Sequence, residues 1–293
     1  MIRIPENLST KLSFLVNNCI LHLPVLLFRK FHADKNKLIL ETLRTRSPIS
    51  SISCWLCDES FSSSQNRYIC NSCRKDLPVI GNACLCCSLP VTFLPGTELI
   101  DMHQSRHLCG ECISQPPGFF CSVASYRYEF PVKQLIHRIK YQKQRYWLKP
   151  LASQLLSDIQ RSPFYATDPL PEVLIPVPMH PRKQKTRTFN QALLIANYLS
   201  PRLNIPVKTG ILLKTKLTDN QVSLKKSERI RNLKNAFGLS RRTHKRNMIL
   251  GKHIALIDDV MTTKATALLA TKVLLEAGAS RVDIWCLART PKS

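Results

Sequence analysis

The sequence predicts an α/β domain, a mainly parallel sheet flanked by helices, with a small double zinc ribbon in front of it. Three observations carry this. Strand-like apolar runs alternate with helical stripes from about residue 118 onward. Four C-x-x-C pairs are packed into residues 54–112. One stretch, Ile254 to Thr266, passes from apolar strand to two acids to a threonine-rich turn and on into a helix. The boundaries these imply are an N-terminal extension and linker over 1–50, the double zinc ribbon over 51–117 and the α/β domain over 118–293.

A chain of 293 residues is long enough for one full core and a small extra domain. Its net charge is +24, from 43 basic and 19 acidic residues. Polyanions are therefore the expected partners: phosphates, nucleotides or nucleic acid. The charge is concentrated. Residues 182–246 hold 17 lysines and arginines against only Asp219 and Glu228.

The N-terminal run from Leu12 to Phe28 is apolar but interrupted by Asn17, Asn18, His22 and Pro24. A membrane-spanning helix needs about 20 mostly apolar residues, so no transmembrane segment is expected. Glu6 in front of the run, and no small-residue cleavage site behind it, argue against a secretory signal. The run reads as an extension that docks or is loosely ordered, with a membrane-surface helix as the alternative. A cytoplasmic, reducing location follows from this reading.

Eight of the twelve cysteines form the pairs Cys54/Cys57, Cys70/Cys73, Cys84/Cys87 and Cys109/Cys112. Two residues between thiolates let one tight turn aim both sulfurs at a tetrahedral metal, so four pairs predict two structural Zn²⁺ sites. Disulfides would require an oxidising compartment, and redox C-x-x-C motifs would need a strand–helix frame that is missing here. Sequential pairing gives two ribbons in tandem; interleaved pairing is equally compatible with the spacing. Cys86 lies beside Cys87, but the spacing favours Cys87. Cys19, Cys121 and Cys286 read as apolar packing. Residues 54–115 have little continuous apolar sequence, so metal binding would supply their folding energy.

After Pro116-Pro117 the α/β pattern begins. Val123–Tyr128 alternates as a strand. Val132, Leu135, Ile136 and Ile139 make a helical stripe, and Leu151 to Ile159 a second helix. Val173 to Val177 is a short apolar strand closed by Pro178. His180 to Gln191 is a basic loop leading into a helix over Ala192–Leu199. Lys208 to Lys216 holds a strand, and Asp219 to Phe237 is polar and basic. Ile254–Ile257 is a buried strand, Ala267 to Ala277 a helix ended by Gly278, and Val282–Leu287 the last strand. Such alternation predicts right-handed crossovers and a ligand site at the carboxyl ends of the strands.

The stretch around Asp258 and Asp259 suits a phosphorylated sugar. A helix start offers free N–H groups and partial positive charge to a phosphate. Thr262, Thr263 and Thr266 add donors, and two adjacent carboxylates can accept from two ribose hydroxyls. The alternative reading is a capped helix after a strand that ends in solvated acids.

These residues also resemble the phosphoribosyl pyrophosphate (PRPP) loop of the type I phosphoribosyltransferases: apolar strand, two acids, two variable residues, then T-T/S-G-x-T. Asp258, Asp259, Thr262, Thr263, Ala265 and Thr266 match, while Lys264 stands at the family's glycine. Lys264 either crowds the approach of phosphate or sets its ammonium on it; the sequence leaves both open.

The resemblance extends from about Cys54 to Arg289. The cysteine ribbon, Ile136–Tyr141, Pro176-Val-Pro178, Arg187–Gln191, Gln221 with Arg229–Phe237, and Ile257-Asp-Asp259 occur in the order of the ComF family, similar to its competence-associated and GntX-like members. Thr188 replaces the glycine of the family's R-G-F-N-Q. The resemblance implies a type I phosphoribosyltransferase-like domain behind a double zinc ribbon, and a part in natural transformation, with single-stranded DNA and competence-machinery proteins as partners. It implies that Asp258 and Asp259 take the ribose hydroxyls and that residues 262–266, Lys264 among them, hold the 5′-phosphate. Arg182, Lys183 and Arg187 would neutralise pyrophosphate, with Asn190 and Gln191 orienting it or capping the next helix. Mg²⁺ would accompany PRPP. Two functions stay open: a phosphoribosyltransferase, or a transferase fold without chemistry that binds nucleic acid or protein.

Overall fold

The computed structural model describes residues 51–62, 68–91, 108–180, 184, 187–215, 236–240 and 248–292. The chain divides into two compact units, one of residues 1–52 and 62–65, the other of 53–61 and 66–293. Most of the first unit lies outside the described residues, as do Arg182, Lys183, Gln221, Arg229–Lys234 and the greater part of the basic segment. The second unit carries everything that follows.

Its centre is a four-stranded parallel sheet. In chain order the elements are β1 (Ser122–Arg127), α1 (Val132–Tyr141), α2 (Leu148–Gln160), the short α3 (Pro163–Thr167), β2 (Val173–Pro176) and α4 (Gln191–Leu203). Then come β3 (Leu212–Lys214), β4 (Phe237–Leu239), β5 (His253–Met261), α5 (Ala265–Glu276) and β6 (Arg281–Arg289). The sheet order is β1-β6-β5-β2, with every pair parallel, and β3 pairs antiparallel with β4 beside it. This is the type I phosphoribosyltransferase-like architecture, a parallel sheet flanked by helices.

Alternation along the strands sorts the core into two faces. Leu174, Ala255, Ile257, Trp285 and Leu287 pack with Leu151, Leu155 and Ile195 of α2 and α4. Their neighbours in sequence, Val173, Ile175, Ile254, Leu256, Ile284 and Cys286, pack with Ala267, Ala270 and Leu274 of α5. The central strands are apolar on both faces because helices cover both. The α1 stripe behaves as its spacing predicts: Val132, Leu135, Ile136 and Ile139 are all buried. Gly278 ends α5 with φ +94°, a backbone conformation that L side chains rarely adopt, so the position needs glycine.

One expectation shifts. The strand does not stop at Ile257. β5 continues to Met261, because β6 is equally long and pairs with it through Asp258↔Cys286 and Val260↔Ala288. The two acids therefore sit in the last turns of a paired strand rather than on a free tip.

The cysteine-rich segment packs onto this domain. Ile80 N–H donates to Ser125 O and Arg127 N–H to Pro78 O, so residues 78–80 run antiparallel to β1. Cys54 and Cys70 belong to the same apolar cluster as α2 and α4, and Cys84, Cys87, Cys109 and Cys112 to that of α5. The two halves of the cysteine-rich segment thus pack with opposite faces of the sheet. No helix among the described residues is long and apolar enough to cross a membrane.

Candidate functional site

The carboxyl ends of β2 and β5, the end of α1 and the start of α4 enclose a cavity of about 390 Å³. Asp258, Asp259, Thr262, Thr266, Arg187, Asn190 and Gln191, all singled out from the sequence, line it. The volume lies in the range of small-molecule sites. The position is the one a parallel sheet reserves for ligands, where the strands end and the helices begin.

The acid pair has asymmetric surroundings. Asp259 accepts from Lys140 Nζ at 2.9 Å, both side chains being largely buried. Burial works against the Lys140 ammonium, but Asp259 and, behind it, Asp258 outweigh this and hold it above the ordinary lysine range. Asp258 is held differently. Its Oδ1 accepts from Asp259 N–H at 2.8 Å. Desolvation first, then the neighbouring Asp259 charge, push its carboxyl up to about 7. Asp258 is thus poised to gain or lose a proton near neutrality.

Around the pair the turn Thr262–Lys264 leads into α5, whose start has no side-chain cap. Its leading amides are those that favour an anion. Thr263 is exposed and Ala265 and Thr266 are half-buried at that start. Asn190 is the cap of α4: its Oδ1 accepts from Ala192 N–H at 3.0 Å and its Nδ2 donates to Val177 O at 2.9 Å. Gln191 is only 3% exposed, and its Nε2 has no hydrogen-bond partner among the described residues. Arg187 donates to Tyr141 Oη at 2.9 Å. The chemistry on offer is a pair of acceptors for hydroxyls, hydroxyl and amide donors for a phosphate, and cations at the rim.

Lys264 takes a direction the sequence could not show. Its backbone is left-handed, φ +64°, as a glycine's would be. Its side chain is buried and turns to the second cysteine cluster, with Nζ 3.1 Å from Glu111 Oε1 and 3.9 Å from Cys112 Sγ. Arg289, also buried, makes a parallel link, donating to Cys87 O at 3.0 Å, Met261 O at 2.9 Å and Thr262 O. Two long cations therefore fix the threonine turn against the ribbon.

The cysteines fall into two groups of four, Cys54/Cys57/Cys70/Cys73 and Cys84/Cys87/Cys109/Cys112, each with its sulfurs within 4.8 Å of one another. This is the sequential pairing, and Cys87 rather than Cys86 completes the second group. Both groups could hold a metal ion. The donor chemistry fits: backbone N–H groups of Cys70 and Cys109 point at Cys54 Sγ and Cys84 Sγ, at 3.3 and 3.2 Å. Hydrogen bonding from Cys87, against desolvation, and the N–H of Cys109 pull the Cys84 thiol down to about 4, toward the thiolate that metals require. Cys121 and Cys286 lie buried outside both groups.

Sequence reasoning passed over Lys140, His137 and Tyr141 of α1 and Lys214 of β3, which also line the cavity. The first three were inside the quoted Ile136–Tyr141 motif, so their signal was present without a role attached. Lys214 and Arg289 carried no local signal.

Fold and site together define an α/β protein with a parallel sheet, a cavity at its carboxyl edge and a cysteine-rich front region. No family model matches the chain. Among curated proteins it is 34% identical over 227 residues to competence protein F of Haemophilus influenzae, covering 75% of this chain and 96% of that one. It is 30% identical over 237 residues to DNA utilization protein YhgH of Escherichia coli (strain K12), covering 81% and 96%. Competence protein ComFC of Bacillus subtilis is 28% identical over 256 residues, covering 83% and 97%. The chain belongs to the ComF family. Of solved structures, a purine phosphoribosyltransferase from Pyrococcus horikoshii Ot3 aligns at 20% identity and a TM-score of 0.29, over 49% of this chain and 73% of its own.

Proposed function

We propose that this chain binds PRPP, or a closely related phosphosugar, with Mg²⁺, and acts in the handling of incoming DNA during natural transformation. The observation that carries the reading is the gathering of Asp258, Asp259, Thr262, Thr266 and Arg187 around one cavity at the carboxyl edge of a parallel sheet. Asp258 and Asp259 accept the ribose 2′ and 3′ hydroxyls, with Lys140 paired to Asp259 beside them. The amides and hydroxyls of residues 262–266 hold the 5′-phosphate. Arg187, with Arg182 and Lys183 of the basic loop, neutralises the pyrophosphate. Asp258 and Asp259, which line the cavity, are the carboxylates that would serve Mg²⁺, and the ion would supply positive charge to the pyrophosphate. If turnover occurs, it is transfer of the phosphoribosyl group, with positioning and charge placement as the sources of rate. The ribbon, over about 51–117, carries two structural Zn²⁺ ions, and elemental analysis should find about two per chain.

A second reading has its own support. Thr188 and Lys264 hold left-handed backbone where glycine is the family's residue, and much of the +24 charge lies in the 182–246 segment. Both favour a transferase fold that binds single-stranded DNA or competence-machinery proteins without chemistry, in the cytoplasm. Calorimetric titration with PRPP and Mg²⁺, beside a salt series of single-stranded DNA binding, separates the two. PRPP binding that Asp258→Asn plus Asp259→Asn weakens supports the first. No PRPP binding at millimolar ligand, with a steep salt slope for DNA, supports the second.

A further inference from the structure

The turn in front of α5 is held from the side of the cysteine-rich segment. Met261 O, at 2.9 Å, and Thr262 O accept from the Arg289 guanidinium, which also donates to Cys87 O at 3.0 Å. Two residues further on, Lys264 sets its Nζ 3.1 Å from Glu111 Oε1 and 3.9 Å from Cys112 Sγ. Lys264 and Arg289 are 5% and 4% exposed, so both links run through the interior. Cys87 and Cys112 belong to the second cysteine group. The Cys84–Cys87 turn of that group is also tied to β1: Ser122 Oγ donates to Cys86 O at 2.9 Å, and Ser88 Oγ to Ser122 O at 2.8 Å. On its sheet side the threonine turn leaves a small cavity of about 20 Å³, lined by Asp258, Val260, Thr262, Lys264 and Ala267 among others. Close packing from below is therefore incomplete, and the two buried cations supply the hold. Cys54 and Cys70 of the first group lie instead in the apolar cluster of α2 and α4.

We propose that Lys264 and Arg289 couple a divalent metal ion in the second cysteine group to phosphate binding at the threonine turn, so that each strengthens the hold on the other. This deepens the function proposed above and rests on that reading for the ligand at residues 262–266. Four thiolates and one divalent ion leave a net charge of about −2, and the Lys264 ammonium is set against it. With the ion in place Cys87 and Cys112 share one rigid anchor. Through them the carbonyls of Met261 and Thr262 and the backbone of Lys264 are fixed, so the leading amides of α5 converge before phosphate arrives. Without the ion the two links lose that common anchor, and part of the phosphate's binding free energy goes into ordering the turn. Such coupling is reciprocal: the factor by which metal tightens phosphate is the factor by which phosphate tightens metal. It is also selective, since the links lead to the second group. A residue without a side-chain cation at 264 would leave Arg289 to carry the coupling alone.

The test uses the full-length protein loaded with zinc and has two arms. The first follows amide hydrogen exchange of the peptide that spans Thr262 to Leu268. Stripping the metal with a chelator should speed its exchange about 5-fold or more, while the peptide over Leu151–Ile159 of α2 stays protected. Lys264→Met keeps all eight paired cysteines and should show the faster exchange with zinc still bound, so the result does not depend on the stripped protein remaining folded. The second arm measures zinc affinity by competition with a chromophoric chelator. Saturating ribose 5-phosphate should raise the affinity of one of the two cysteine groups, by the factor by which zinc loading tightens ribose 5-phosphate in calorimetry. In Lys264→Met that factor should shrink. Turn exchange unchanged on stripping or in Lys264→Met overturns the proposal, as does a zinc affinity indifferent to ribose 5-phosphate that calorimetry shows to be bound. If ribose 5-phosphate does not bind the loaded protein, the phosphosugar reading fails, and the exchange arm alone decides whether the turn answers to the metal.

Discussion

Both edges of the sheet carry charged side chains, and they treat them in opposite ways. At the amino edge Asp283 is fully buried, yet it meets His253 Nε2 and Tyr165 Oη at 2.8 Å and Arg281 Nε at 3.0 Å. Arg281 is also tied to Asp168 at 2.6 Å, and Tyr165 accepts from Trp285 Nε1 at 2.8 Å. Desolvation works against the Asp283 carboxylate, but the bonds from His253 and Arg281 outweigh it and hold its pKa below the ordinary range. At the carboxyl edge Asp258 is pushed up to about 7, the Gln191 amide nitrogen has no partner among the described residues, and Thr188 and Lys264 hold left-handed backbone. One edge is satisfied and contributes stability. The other retains unmet interactions and strain, which is what a site awaiting a ligand looks like.

The strongest way to break this comparison is at the amino edge. Asp283→Asn should destabilise the protein by about 3–5 kcal/mol, because it strips a buried network of its only fully buried carboxylate among the described residues. The sign with pH follows from the lowered pKa. The stabilisation is present above the unfolded-state value near 4 and is lost as pH falls through the lower folded value. Chemical denaturation at neutral and acid pH should show a deficit at neutral pH that narrows in acid. A neutral-pH stability equal to wild type would mean that the network does not support the fold.

Asp258→Asn should do the reverse. The folded pKa of Asp258 lies above its unfolded value, so the associated stability is full below about pH 4 and lost as pH rises through about 7. The variant removes that loss. Above pH 7 it should be more stable than wild type, by an amount on the order of 1–3 kcal/mol, while binding phosphosugar less well. Denaturation curves at pH 5 and pH 8 check it: the gain must be larger at pH 8. A gain that is equal at both would assign the effect to something other than ionisation.

These contrasts also explain what the sequence could and could not show. The sheet, the cysteine pairs and the Asp258–Asp259 turn are local patterns, a period or a spacing, and they were legible. Asp283 gave a signal that went unused: a carboxylate inside the apolar run Val282–Leu287 must find partners if that strand is buried. The turn of Lys264 toward Glu111 and Cys112 was not legible, since it depends on which half of the ribbon packs beside α5. Lys140 reaching Asp259 likewise joins residues far apart in sequence, and only the packing of α1 brings them together.

Within the carboxyl edge the two left-handed residues sharpen the argument further, because they are anchored differently. At Lys264, glycine would relieve backbone strain of about 1–2 kcal/mol. It would also remove a side chain that is 4% exposed and its ion pair with Glu111. The buried stem outweighs the strain, so Lys264→Gly should lower stability by about 1 kcal/mol and speed metal release from the second cysteine group. A rise in melting temperature, with metal release unchanged, would show that Lys264 ties nothing to the ribbon.

Thr188 is anchored differently. Its side chain is exposed, and among the described residues its hydroxyl donates to the neighbouring Arg187 O, at 2.6 Å. Its N–H donates to Gln184 O at 2.9 Å, so it closes a helical turn in the left-handed position that glycine normally fills. A β-branched residue is among the least suited to that conformation. Thr188→Gly releases the strain, loses a short-range hydrogen bond and gains some unfolded-state entropy, two costs that offset part of the relief. The net should be a stabilisation of roughly 0.5–1 kcal/mol, the smallest effect in the set and opposite in sign to Lys264→Gly. Thermal unfolding of the two variants side by side measures it. If both move in the same direction, the difference in anchoring does not govern these two turns, and the strain at the carboxyl edge would have a single common source.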